Sequence, residues 1–516
     1  MRPLARRLST TLLPLVAATA LGASCALAAA PNLCAHGGQW AQTAARAPTA
    51  VVAYLDSLGA SRFDLRAACA HWAGMFSQRH QSAADATHPS RLVPARFIVF
   101  PAEGTSQHQL FESLKHTSYV RNLERARNFV VVTFSRYTPT ERLIAIINSP
   151  QVGYSEPDCD GPDYLTTSME LPLAASTGSR CWLRAARATF PNDPCLDELW
   201  GHKKIGWDSG VAARSLPRIV AVLDSGIDAA HEDLARNVVL HLRAHETPGS
   251  QGGKLNARCA TSGRCYAHGT EMAGTIGGRM DNGIGVAGVA PNSRLLPIVI
   301  SRVDRGLLAR ISTIAAGIDA AVDDGAEIIN ISAKWPVDSR AISESIVAAV
   351  GGSSSARRLL VTGYATSLDR DDTVREYFPS QYRCLPGVIA AVPTDMRGHE
   401  LSNPKGHPNA NDGRIQAPGV DIVVTTTENS ERGYALSESA GASSAAAYVS
   451  GAVALVWGSP PLNKCDAQQI KQLLFCRSKD SDSTRYPWVN VEFLRELAIL
   501  DPGADCQSAM AALACN

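Results

Sequence analysis

The hydrophobic and polar positions are organised around one stretch, Tyr434 to Trp457. It opens with small and polar residues, and from Ala445 it becomes an almost unbroken apolar run without charge. Such a run predicts a helix that is apolar nearly all round, which belongs in the middle of a large core. Upstream, Arg218–Leu223 is apolar without alternation, the pattern of a strand buried on both faces of a parallel sheet. The same signal recurs at Arg294–Ile300, Glu327–Ser332, Leu359–Thr362 and Gly387–Val392, with helical periodicity at Ser312–Asp324 and Ile342–Val350. Strands alternating with helices predict an α/β fold with a doubly wound, mostly parallel sheet. Ligand chemistry then belongs at the carboxyl ends of the strands, where Asp224, Ser332 and the residues after Thr362 fall.

A smaller α+β unit is expected over 93–158. Its strands are Arg96–Phe100, Phe129–Phe134 and Gln151–Tyr154. Its helices are Gln107–Leu123 and Thr138–Asn148, the second with Thr138 as cap and Glu141 at capping-box spacing. Residues 1–28 have a basic start, a short apolar run and an Ala26-Leu27-Ala28 cleavage site, which predicts a secretory signal. Residues 29–92 form an extension of no assigned role, 159–189 a linker and processing region, 190–500 the large domain and 501–516 a tail.

Lys plus Arg number 49 against 48 for Asp plus Glu, so charge gives no reason to expect nucleic acid or an anionic membrane as a partner. No stretch after the signal is long and apolar enough to span a bilayer. Of 13 cysteines, Cys25 leaves with the signal, and the remaining even set in a secreted chain predicts disulfides. Cys259 and Cys265 flank a short loop and can pair locally. Cys465 and Cys476, if joined by a helix, lie about 16 Å apart, and a disulfide needs Cα atoms within about 7 Å. Each must therefore find another partner.

Three polar residues stand in special settings. Asp224 ends a buried strand, His268 lies at the start of a helix, and Ser443 begins the central helix. A serine there either caps the helix or serves as a nucleophile beside free backbone N–H groups that favour negative charge. Asp, His and Ser suffice for nucleophilic acyl transfer. The imidazole takes the serine proton, and the carboxylate fixes its tautomer.

Val220–Asp228 with His231-Glu232-Asp233-Leu234 resembles the aspartate motif of the subtilisin-like serine proteases. Ala267-His268-Gly269-Thr270 resembles their histidine motif, and Gly441-Ala442-Ser443-Ser444-Ala445 with Val449-Ser450-Gly451 their serine motif. The order Asp, His, Ser also matches the family. The unit at 93–158 resembles the family's inhibitory propeptide. The resemblance implies a subtilisin-like fold and a secreted serine endopeptidase made as a propeptide-inhibited precursor, with Asp224, His268 and Ser443 catalytic. It implies peptide or protein substrates, the propeptide as a partner in the same chain, and chemistry without a cofactor.

Three features depart from the family pattern or stay open. The oxyanion asparagine is missing from Leu360–Ser367, and Thr366 falls at its position. The substrate strand reads Ser332-Ala333-Lys334-Trp335, so Ser332 and Lys334 are the substrate-binding candidates, with Lys334 standing where glycine is usual. A structural calcium at Asp233 and the Met280–Val286 loop is implied by some relatives, while a plain Asn-Gly turn explains the same letters. The departures leave an alternative, a weak or silent subtilase scaffold that binds peptides or protein partners.

Overall fold

The computed structural model describes residues 96–135, 137–159, 180–239, 268–302, 308–335, 339–351, 358–368, 374–401, 413–427, 433–437, 441–479 and 486–515. The expected signal, the 29–92 extension, Cys259, Cys265 and most of the 159–189 linker lie outside these residues.

The first unit comprises β1 (Arg96–Pro101), α1 (Gln107–Lys115), β2 (Val120–Arg125), β3 (Val130–Phe134), α2 (Thr140–Ile147) and β4 (Val152–Pro157). Its antiparallel sheet has the order β2-β3-β1-β4. Leu110, Leu114, Leu143 and Ile147 press the two helices onto it.

The large unit places β5 (Ile219–Asp224), α3 (His268–Gly277), β6 (Arg294–Val299), α4 (Ile311–Asp323), β7 (Ile328–Ile331), α5 (Arg340–Val350), β8 (Leu359–Gly363), β9 (Val388–Thr394) and β10 (Arg414–Pro418) in chain order. The strands form a six-stranded parallel sheet, order β10-β9-β8-β7-β5-β6. Chain order reverses at β5, so the topological switch point lies between β5 and β7. That is where an open α/β sheet leaves a crevice beyond its strand ends.

Side chains of one strand point alternately to the two faces. Val220 and Val222 face α3 and the long α6 (Gly441–Gly458), while Ala221 and Leu223 face α4 and α5. From Ser443 to Gly458 every residue of α6 is buried, as its apolar run predicts. The last residues do not hang free. Around α7 (Ala467–Cys476) and α8 (Cys506–Ala512), Cys465 just before α7 pairs with Cys506 and Cys476 with Cys515 just after α8, and Ala509, Met510 and Leu513 join the core. Cys465 and Cys476 thus find separate partners. Cys181 pairs with Cys195. Among the described residues no helix is long and apolar enough to cross a membrane.

The first unit differs from expectation at two places. The helix from Gln107 stops at Lys115, and Val120–Arg125 instead pairs with β3, because Leu123 and Val120 pack inward only as strand residues. Thr138 does not cap α2. Its hydroxyl donates to the Ser135 carbonyl, Pro139 occupies the cap position, and no side chain caps that end.

The two units meet where β4 reaches the starts of α4 and α5. Glu156 Oε1 accepts from Ser339 Oγ at 2.8 Å and Ala341 N at 3.2 Å, and Oε2 from Arg340 N at 3.1 Å. Asp158 Oδ1 accepts from Ser312 N at 3.0 Å and Oδ2 from Ser312 Oγ at 2.8 Å. Two carboxylates of one segment therefore satisfy the free N–H groups of two helix N-termini and meet the positive ends of their dipoles.

Candidate active site

Asp224 ends β5 and His268 opens α3. His268 Nδ1 lies 2.9 Å from both Asp224 oxygens. Since Asp224 is a carboxylate acceptor, Nδ1 carries the proton and donates, which leaves Nε2 as the basic nitrogen. His268 Nε2 is buried and has no hydrogen-bond partner among the described residues. The approach is tight. A side chain on Gly269 would come within 2.2 Å of the Gly226 carbonyl oxygen, so only glycine lets α3 start this close to β5. The Gly269 N–H donates to Ser225 Oγ at 3.1 Å, and Thr425 Oγ1 donates to the Thr270 carbonyl at 2.7 Å, fixing the first turn of α3. Burial works against a proton on His268, but the Asp224 charge and hydrogen bond, with Glu271 behind them, outweigh it and raise its pKa above the ordinary value.

Ser443 is the third residue of α6, among the first-turn N–H groups that have no acceptor within the helix. Ser443 Oγ donates to the Ser332 carbonyl at 3.3 Å, and Ser332 Oγ donates to the Ser443 carbonyl at 3.2 Å. Asn330 Nδ2 donates to Ser332 Oγ at 3.0 Å, and Ser450 Oγ donates to Asn330 Oδ1 at 2.9 Å. This buried polar chain ties α6 to β7 beneath the serine. The neighbouring Ser444 hydroxyl is buried without a partner among the described residues. Asn330 and Ser450 escaped the sequence-level reading; the signal for Asn330 was an amide in the middle of an otherwise apolar strand, which burial obliges to find partners.

The remaining candidates surround this point. Gly363 ends β8 with its α-carbon against Ala442, where an added side chain would meet the Ala442 carbonyl oxygen at 2.6 Å. Thr366 opens a short strand, Thr366–Leu368, paired antiparallel with Val374–Glu376; its side chain lies outside the described residues. Lys334 is half-buried two residues beyond Ser332, with its Nζ 4.9 Å from the Tyr377 ring centre, and burial lowers its pKa.

The residues around Asp233 do not fit a calcium ion. Asp233 Oδ1 accepts from Asn282 Nδ2 at 2.6 Å, and Oδ2 accepts from Val286 N at 3.0 Å and the Tyr434 hydroxyl at 2.9 Å. Calcium takes six to eight oxygen ligands. Here the groups aimed at the carboxylate are N–H and O–H donors, whose positive ends would face the cation. Burial pushes Asp233 up to about 7 against the pull of those hydrogen bonds. Asp281 and Asn282 donate their N–H groups to Asp193 at 2.8 and 3.3 Å, and Asp281 and Gly283 both take positive φ, so the Asn-Gly turn accounts for the loop.

A model of the subtilase family matches residues 218–487, which span the sheet, α3 and α6. The chain belongs to the subtilase family. Over 252 residues it is 32% identical to the major intracellular serine protease of Bacillus subtilis (strain 168), covering 48% of this chain and 70% of that one. Over 242 residues it is 31% identical to the subtilisin of Bacillus pumilus, covering 47% and 77%. It is 30% identical over 251 residues to fervidolysin of Fervidobacterium pennivorans, covering 46% of this chain but 32% of that relative. The crystal structure of fervidolysin shares the fold at TM-score 0.58 and 21% identity, covering 78% of this chain and 61% of that one. As a subtilase the chain is a serine-type endopeptidase with peptide or protein substrates, and catalysis in the family uses no cofactor.

Proposed function

We propose that this subtilase is a secreted endopeptidase in which Ser443 is the nucleophile, His268 the general base and then acid, and Asp224 the residue that orients His268. One observation carries the proposal. An imidazole at the switch point is held by a carboxylate through Nδ1, while Nε2 has no partner among the described residues. Attack requires the Ser443 hydroxyl to turn from the Ser332 carbonyl to His268 Nε2, which takes its proton as Oγ bonds to the scissile carbonyl carbon. The tetrahedral oxyanion is met by the Ser443 N–H, with Thr366 as second donor. His268 then protonates the leaving amine, and water repeats the sequence to release the acyl group. Ser332 and Lys334 border the bound peptide.

In the same proposal residues 1–28 are the signal and residues 93–158 an inhibitory propeptide. The carboxylates of Glu156 and Asp158 on the helix starts support that role, since they anchor the segment without occupying the Asp224–His268 pair. Processing within 159–189 then frees the domain from 190 onward.

The resting contact between Ser443 Oγ and the Ser332 carbonyl also suits a silent peptide-binding scaffold. Hydrolysis of an unfolded protein by the matured chain separates the two. Endopeptidase action predicts cleavage that falls by about 10⁴-fold or more in Ser443→Ala. No hydrolysis by either would support the scaffold, and equal rates in both would remove Ser443 as the nucleophile.

A further inference from the structure

Lys334 is a half-buried cation. Among the described residues no Asp or Glu pairs with its ammonium. The Tyr377 ring face, 4.9 Å away, attracts the charge but offers it no hydrogen-bond acceptor. Among the described residues these three N–H donors, in a partly desolvated place, meet no protein acceptor, whereas lysines ordinarily carry the charge out to water. The place is next to the chemistry. Lys334 follows Ser332 by two residues, about 7 Å of extended chain, and Ser332 is bonded in both directions to Ser443. Trp335 and Phe378 hold the segment by exchanging backbone hydrogen bonds at 2.9 Å each, which fixes Lys334 at the crevice end of β7.

We propose that Lys334 receives the carboxylate of a substrate side chain beside the scissile bond, so that this enzyme selects Asp or Glu there. This rests on Ser443 being the nucleophile. Burial lowers the affinity of Lys334 for its proton, and an incoming carboxylate restores it, so charge and hydrogen bond act together at the occupied site.

The test uses peptides identical except for Glu, Gln or Lys at the residue preceding the scissile bond. The expected kcat/KM favours Glu over Gln by about 10- to 100-fold, the range of a charge-assisted hydrogen bond. Lys334→Ala abolishes the preference, Lys334→Arg keeps it, and Lys334→Glu shifts it toward Lys, with thermal melting to establish that each variant is folded. Binding of the same peptides to Ser443→Ala, read by fluorescence anisotropy, follows the same order and does not depend on turnover. Loss of hydrolysis with the order of binding intact would therefore count against the nucleophile and not against Lys334. Equal handling of Glu and Gln by the wild type, or a preference that survives Lys334→Ala, overturns the proposal.

Discussion

Ser443 and Ser332 are bonded reciprocally: each hydroxyl donates to the other's backbone carbonyl, at 3.3 and 3.2 Å. The pair locks the start of α6 to the end of β7, and Asn330 extends the lock to Ser450. Asn330→Ala deprives the buried Ser332 and Ser450 hydroxyls of a partner. A stability loss of about 1–3 kcal/mol is expected, read by denaturant unfolding. Because Asn330 positions the serine and not the peptide, kcat should fall with little change in KM.

The Asp224–His268 pair sets a pH dependence. In the proposed mechanism His268 must be neutral to act as base, and its pKa is raised, so the acid limb of kcat/KM should lie above the ordinary histidine value of about 6.5. Asp224→Asn removes the charge that raises it and leaves the burial that lowers it. The limb should move to lower pH while kcat drops by about 10⁴-fold. The stability contributed by the pair is fully present below about pH 6.5 and is lost as pH rises through the raised folded value.

Asp233 makes a separate prediction. Its folded pKa of about 7 exceeds its ordinary 3.8, so its contribution to stability is fully present below about pH 4 and is lost as pH rises through about 7. Unfolding measured from pH 4 to 8 should show this slope, flattened in Asp233→Asn. Since protein donors fill the carboxylate, melting should not respond to calcium or to a chelator through this site. Tyr434→Phe, which removes one donor, should destabilise by about 1 kcal/mol.

Glu156 is predicted to hold the first unit in place. Glu156→Ala removes the acceptor shared by Ser339, Arg340 and Ala341 at the start of α5. In the full chain, amide exchange and proteolytic nicking across 96–158 should accelerate, while Glu156→Gln, which keeps an acceptor oxygen, should lie between the two.

The strands of the parallel sheet were legible because burial on both faces removes alternation from runs such as Ile219–Leu223 and Leu359–Val361. That Asp224 ends a strand and that His268 and Ser443 stand in the first turns of helices was legible from the local pattern. The edge strand β2 was not, because its exposed Arg121, Asn122 and Arg125 break the apolar pattern and its pairing with β3 is a tertiary choice. Likewise, helix length excluded a Cys465–Cys476 bridge, but Cys506 and Cys515 could be assigned only once the chain had folded back. The links from Asn330 to Ser450 and from Tyr434 to Asp233 join residues 120 and 201 positions apart, so no local pattern carries them.

The most direct test is the reaction of the matured enzyme with a fluorophosphonate, followed by peptide mapping of the phosphonylated residue. An activated Ser443 predicts one stoichiometric adduct on Ser443, none on the adjacent Ser444, and none in Ser443→Ala or His268→Ala. An adduct on Ser444, or labelling that persists at the wild-type rate without His268, would contradict the assignment.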